Sequence, residues 1–212
     1  MRIDAVLFDF GGVFMDSPFE AVRNFGERCG VGADRILELV FGRYDDDTDH
    51  PWHRLERGEI TLEAARQAIL ELAAPHRVDL FEALGSMARA AVRDEMVEIA
   101  RFARASGRRT AVVTNNVREF GHAWRAMLPV DELFDAVVDS HEIGMRKPNP
   151  RVFAYALERL GNVPCANAVF LDDFEGNVEA ARRAGLHGIV VGPDWRRAVS
   201  ELRALLEAES RR

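Results

Sequence analysis

Short apolar runs alternate with helical stripes along most of this chain, and the alternation is interrupted once. Ile3-Asp4-Ala5-Val6-Leu7-Phe8 has the near-continuous apolar character of a strand buried on both faces, and Asp9-Phe10-Gly11-Gly12 ends it in a turn. From about Pro18 to Ala91 the spacing is helical throughout. Phe19, Val22, Phe25 and Cys29 form one stripe, and Ile36, Leu37, Val40 and Phe41 a second. Thr61 is placed to cap a third, made of Leu62, Ala65, Ile69 and Leu72. A fourth, Phe81, Leu84, Met87 and Ala91, starts at Asp79 with Glu82 three residues on, a capping-box arrangement. No strand pattern interrupts these four.

Beyond them the period changes. A helix over Asp94–Ala105 stops at Ser106-Gly107, and Thr110–Thr114 reads as a buried strand. A helix over Arg118–Leu128 leads to a strand at Ala136–Val138. A helix over Pro150–Leu160 leads to one at Ala168–Leu171. A helix over Gly176–Ala184 closes at Gly185, followed by a strand at Gly188–Val191 and a last helix from Asp194. Strands alternating with helices mean parallel pairing through crossover connections. The expected architecture is therefore α/β, a doubly wound parallel sheet with a helical insert after the first strand. Residues 1–15 and 93–212 form the core and 16–92 the insert, while the charged end, Glu207–Arg212, is expected to fray.

Composition narrows the partners. At 212 residues, with 48% hydrophobic and 30% charged, the chain has the make-up of a soluble globular protein. Its formal net charge of −7 argues against nucleic acid, which needs a basic face. A small phosphate ester needs only a few local donors. No apolar run approaches the roughly 20 residues of a membrane span. The opening Met1-Arg2-Ile3-Asp4 enters the first strand with no leader pattern, so the default expectation is a cytoplasmic address. Cys29 and Cys165 stand far apart and are expected to be reduced, partly buried thiols.

In open α/β sheets, ligands bind outside the carboxyl ends of the strands. Polar residues gather at four such ends: Asp9, then Thr114-Asn115-Asn116, then Lys147 in Gly144-Met145-Arg146-Lys147-Pro148, then Asp172-Asp173. Carboxylates alone would repel a phosphate, so the mixture requires a cation. Mg²⁺ is the natural candidate, held by one or two carboxylates, waters and a phosphate oxygen. Lys147 and Thr114 remain for the other phosphate oxygens. His50 and His53, near Asp45-Asp46-Asp47 and Asp49, are expected in a solvated acidic loop rather than a second metal site. Trp52 and Arg54 stand beside them, facing either the substrate or the interior.

The order Asp9-Phe-Gly-Gly-Val, Thr114-Asn115, Lys147-Pro148 and Phe170-Leu171-Asp172-Asp173 resembles the four motifs of the haloacid dehalogenase superfamily. Phe170–Asn177 is especially similar to the phosphatase domain of soluble epoxide hydrolase. The resemblance covers essentially the whole chain, and the helical insert, 16–92, resembles the family's cap domain in general pattern only. It implies a Mg²⁺-dependent phosphatase acting on a small phosphorylated metabolite, with Asp9 as nucleophile and metal ligand. The Gly11 carbonyl and Asp173 would complete the metal ligands, and Thr114, the Asn115 backbone and Lys147 would bind phosphate. Asp172 would orient Lys147, and Asn177 would steady the acidic loop.

One departure bears on activity. Phosphatases of the superfamily usually carry a second Asp two residues after the nucleophile, as general acid and base, and here that residue is Gly11. Some sugar-1-phosphatase branches also have Gly there, and Asp16 is a candidate substitute. Two other readings stay open: an attenuated or inactive phospho-ligand-binding protein, and a 2-haloacid dehalogenase. Dehalogenases also lack the second Asp, but they place a Tyr six residues after the Lys, where this chain has Phe153.

Overall fold

The structure, a computed structural model, describes residues 2–76 and 91–210. Five parallel strands, β1 (Ala5–Phe8), β2 (Arg109–Thr114), β3 (Ala136–Asp139), β4 (Ala168–Asp172) and β5 (His187–Val190), lie in the order β3-β2-β1-β4-β5. The register pairs Phe8 with both Val112 and Leu171, and Thr114 with Asp139. The carboxyl ends of β1, β2 and β4 therefore open side by side where the chain order reverses. Apolar runs such as Ala5–Phe8 and Val169–Leu171 are wholly buried because helices cover both faces. Helices α5 (Asp94–Ala105) and α11 (Trp195–Ser210) close one hydrophobic cluster, and α9 (Pro150–Arg159) and α10 (Glu175–Arg183) the other. At the β5 edge, Arg182 Nη2 donates to the carbonyl of Gly188 at 2.8 Å.

Four helices follow β1: α1 (Pro18–Arg28), α2 (Ala33–Phe41), α3 (Pro51–Glu56) and α4 (Leu62–Ala73). Their apolar stripes pack into a third cluster around Val22, Phe25, Ile36, Phe41, Leu55 and Ile69. Thr61 caps α4 as its sequence suggests, accepting from the Ala64 N–H at 3.2 Å. The stripe from Asp79 through Met87 lies outside the described residues. Arg93 ties the return crossing to the departure: its N–H donates to the Phe14 carbonyl at 2.8 Å and its Nη1 to that of Gly12 at 2.5 Å.

Several boundaries differ from the sequence expectation. The helix expected over Arg118–Leu128 is a 3₁₀ turn at Arg118–Phe120 and a short helix, α6 (Gly121–Arg125). Gly121 inside the pattern weakens helix propagation, and Pro129 bars continuation. Three short helices, α3 and also α7 (Val130–Leu133) and α8 (Ser140–Ile143), go unannounced by any long periodicity. The last helix does not fray at Glu207 but continues through Ser210, since Leu202 and Leu206 anchor it in the core. Cys29 is exposed rather than partly buried, and Cys165 is half-buried; both are free. No helix among the described residues is long and apolar enough to cross a membrane.

The histidines of α3 depart furthest from expectation. His53 is fully buried, not solvated, and its Nδ1 accepts the Thr48 N–H at 3.1 Å. His50 Nδ1 accepts the Trp52 N–H at 3.2 Å, capping α3. The other ring nitrogen of each, Nε2, is buried with no hydrogen-bond partner. The two rings stand 5.6 Å apart, with His50 against Gly42 at the end of α2, and among the described residues they belong to no cluster of three or more potential metal ligands. Trp52 packs inside, 5.0 Å from the Phe41 ring, and Arg54 stays outside with Glu59.

Burial, aided by the charges of Arg146 and His50, pushes the His53 imidazole down to about 3. Between there and the ordinary 6.5 the unfolded chain takes up a proton that the folded chain refuses, so stability falls as pH drops through that window. Urea midpoints measured from pH 7 down to pH 4 should decline, and His53→Gln should flatten the decline. An equally steep decline in the variant would assign the acid sensitivity elsewhere.

Candidate active site

β1 ends at Phe8, and the next residue, Asp9, is fixed by its N–H donating to the Leu171 carbonyl at 2.8 Å. Its Oδ1 accepts from the Phe10 N–H at 2.7 Å and lies 3.0 Å from Lys147 Nζ. Lys147 is wholly buried, and Nζ also donates to Asp172 Oδ2 at 2.6 Å. Asp172 is held in turn by Asn177 Nδ2 at 3.1 Å and by the Phe174 N–H at 2.8 Å. Thr114, almost fully buried, ends β2, and the Asn115 side chain grips the Lys147 peptide at both its N–H and its carbonyl. The fold thus gathers Asp9, Asp172, Asp173, Lys147, Asn115 and Asn177. Asp16 stands apart, largely exposed and 3.5 Å from Arg93.

The electrostatics are lopsided. Carboxylate oxygens of Asp9, Asp172 and Asp173 lie within 4.8 Å of one another. One ammonium faces the three, paired with Asp9 and Asp172 and not with Asp173. Burial alone would depress Lys147, but the charges of Asp172 and Asp9 outweigh it and hold the ammonium above its usual range. Burial, opposed by Lys147 and reinforced by Asp9, pushes Asp172 up to about 7. Asp173 rises well above the ordinary carboxylate range through burial, then through the charges of Asp172 and Asp9. Its Oδ1 is buried with no hydrogen-bond partner, while Oδ2 accepts from the Ser17 hydroxyl. Surplus negative charge, an orphaned carboxylate oxygen and all-oxygen donors fit a hard divalent cation. A second acidic group, Asp139, His141 and Glu142, is already served: Arg125 Nη2 lies 2.7 Å from Glu142 and 3.5 Å from Asp139.

A family pattern for haloacid dehalogenase-like hydrolases matches residues 3–185. The chain belongs to this family. Mouse acyl-CoA dehydrogenase family member 10 is 34% identical over 210 residues, covering 95% of this chain and 19% of its own length. Mouse bifunctional epoxide hydrolase 2 is 27% identical over 208 residues, covering 90% of this chain and 37% of its own. The chain therefore spans well under half of either relative. A haloacid dehalogenase family enzyme of Bacteroides thetaiotaomicron, in complex with magnesium and inorganic phosphate, superimposes with a TM-score of 0.63 at 21% identity. The match covers 92% of this chain and 98% of that one. The family match and the solved structure thus agree on the fold.

Three features of the site escaped the sequence reading. Ser17, visible only as a helix start before Pro18, supplies the hydroxyl on Asp173. Arg146, adjacent to Lys147, is fully buried with Glu56 from α3. The two glycines also separate. Gly12 has φ +71°, and a Cβ there would overlap the Asp173 carboxyl carbon. Gly11 lies outside the left-handed region, and its Cβ would meet only Pro18, at 3.5 and 3.7 Å. Strain at residue 11, a natural explanation for glycine, is not imposed by the backbone.

Gly12→Ala should destabilise by more than the roughly 1–2 kcal/mol of a left-handed residue, because Asp173 must also move. Gly11→Ala should be neutral or stabilising by up to about 1 kcal/mol. Urea denaturation of the two variants tests this, and equal losses would contradict the assignment.

Proposed function

We propose that the chain is a Mg²⁺-dependent phosphatase that hydrolyses a small phosphorylated metabolite through an aspartyl-phosphate on Asp9. The observation that carries this reading is the cluster of three carboxylates around a single buried ammonium, with Asp173 Oδ1 left unpartnered. A haloacid needs no metal, whereas a phosphate monoester approaching this cluster does. The Bacteroides enzyme's magnesium and inorganic phosphate support the same pairing here. Phe153 speaks against dehalogenation, being buried in the core 5.1 Å from Phe170. Residues 16–92 would serve as a cap over the core formed by 1–15 and 93–212.

Asp9, the Gly11 carbonyl and Asp173 would hold the cation, which supplies positive charge against the phosphate oxygens. Thr114, the Asn115 backbone and Lys147 would bind the phosphoryl group. Phe10 N–H and Lys147 engage Asp9 Oδ1, which leaves Oδ2 to attack phosphorus. The P–O bond to the leaving group breaks, and the leaving oxygen departs with the electron pair. Water then attacks phosphorus and the bond to Asp9 breaks, freeing the Asp9 carboxylate and inorganic phosphate, while the water's surplus proton passes to solvent or to the departed alkoxide. Asp172 keeps Lys147 aimed, and Asn177 keeps Asp172 in place.

Gly11 removes the usual proton donor, a group worth about 10²–10⁴ in rate. Asp16, paired with Arg93, would have to leave its partner to replace it. Leaving groups that depart unprotonated should therefore be favoured: sugar 1-phosphates, acyl phosphates or aryl phosphates. The same missing acid favours a second reading, an attenuated protein that binds a phosphorylated ligand without turnover.

Phosphorylated metabolites screened with Mg²⁺ should include one that wild type hydrolyses. Asp9→Asn should abolish that turnover, and EDTA should do so reversibly. Chelator-resistant hydrolysis would sink the mechanism, and affinity without turnover would favour the second reading. Halide release from 2-haloacids without metal would favour the dehalogenase.

Across aryl phosphates of graded leaving-group basicity, wild-type rates should fall steeply. Gly11→Asp should rescue the poorest leaving groups by up to about 10²-fold. Asp16→Asn should change little. A flat wild-type dependence that turns steep in Asp16→Asn would make Asp16 the acid.

A further inference from the structure

Two consecutive residues after β3 point opposite ways. Lys147 enters the carboxylate cluster, while Arg146, equally buried, turns toward α3. Arg146 Nε donates to Glu56 Oε2 at 2.7 Å, and Nη1 to the Asp46 carbonyl at 2.9 Å. Its guanidinium lies over the Tyr44 ring, 4.4 Å from the centroid. Glu56 Oε1 accepts from the Tyr44 hydroxyl and from Trp52 Nε1, each at 2.7 Å. The Tyr44 oxygen then accepts from Asn115 Nδ2 at 3.2 Å. Asn115 closes the circuit on Lys147: Nδ2 donates to its carbonyl at 2.9 Å, and Oδ1 accepts its N–H at 2.8 Å.

The path leaves Lys147 through its neighbour's side chain, crosses Glu56 and Tyr44, and returns to both polar atoms of the Lys147 backbone. Stability alone does not account for it, because buried ion pairs replaced by apolar groups of similar volume are often no worse. What the circuit adds is position. The ammonium must remain within hydrogen-bond reach of Asp9 and Asp172, and a misplacement of about 1 Å at a reacting centre can cost about 10²-fold. Two members, Tyr44 and Glu56, come from the helical insert, as does the Asp46 carbonyl, so the circuit is complete only with that insert docked.

We propose that Tyr44, Glu56 and Arg146 are positioning residues, through which the docked α3 segment fixes the Lys147 backbone and sets its ammonium against Asp9. The proposal rests on the phosphatase reading for what Lys147 does to substrate, and on geometry alone for how Lys147 is held.

Tyr44→Phe in the full chain keeps the ring and its stacking and removes only the hydroxyl joining Glu56 to Asn115. Amide hydrogen exchange at Lys147 N–H, in the ligand-free protein, should become faster. Orthovanadate affinity in Mg²⁺ should fall by about threefold to tenfold, the worth of one hydrogen bond. In a Lys147→Ala background Tyr44→Phe should weaken vanadate no further, because the ammonium it positions is gone. Glu56→Gln should move Lys147 exchange the same way, and it replaces Tyr44→Phe if that variant does not fold. A merely structural hydroxyl would lower the thermal midpoint and weaken vanadate equally with or without Lys147. That additivity, or unchanged exchange at Lys147, would overturn the proposal. Should wild type bind no vanadate, the phosphatase reading fails, and the exchange measurement alone decides whether the circuit holds Lys147.

Discussion

Lys147 is a charge with no exposed surface, and only the two carboxylates beside it, Asp9 and Asp172, keep the ammonium from being buried uncompensated, a state that costs about 3–5 kcal/mol. Asp9 and Asp172 stand at the ends of adjacent strands, β1 and β4, so the lysine also records their register. Asn177 on α10 and Asn115 after β2 are arranged around the same pair. The carboxyl edge of the sheet is in this sense organised by one ammonium. The ion pair that gathers the strand ends also leaves Asp173 without compensation, which is the chemical opening for a divalent cation.

The helical insert meets this edge at close quarters. A Cβ on Gly176 would overlap Asp45, and one on Gly58 would fall 2.7 Å from the His141 carbonyl. Phe19, Tyr44 and Phe174 meet as an aromatic group next to Asp173 in the chain, with the Phe19 and Tyr44 ring centroids 5.3 and 5.1 Å from that of Phe174. Such contacts need small residues on one side and flat ones on the other. They bring the insert's polar groups up to the loop that follows Asp172.

Much of this was legible in the sequence. Apolar runs such as Val169–Leu171 announce buried parallel strands, and strand-end placement points to Asp9, Thr114 and Asp172-Asp173, whereas Lys147 stands beyond the helix Ser140–Ile143 that follows β3. What periodicity could not show is which polar residues turn inward from helices. Glu56 and Arg146 look like ordinary surface charges until the fold places them face to face. His53 sits among acidic residues in sequence, yet is buried against α2 in space. Short helices such as Ser140–Ile143 are fixed by tertiary contacts and span too few residues to carry a stripe. Ser17 reads as a helix start, and only the approach of α1 to Asp173 gives its hydroxyl a second role.

Gly11 acquires a different meaning beside Gly12. Only Gly12 is required by its backbone angle and by the crowding of Asp173. At residue 11 there is room for a side chain, with Pro18 at ordinary contact distance. Replacing Gly11 by a residue with a Cβ is a step that the backbone and its neighbours permit. The fold does not explain why that step is absent. In evolutionary terms, residue 11 is a free coordinate of the scaffold, and its occupant reports on the chemistry asked of the site rather than on the architecture that carries it.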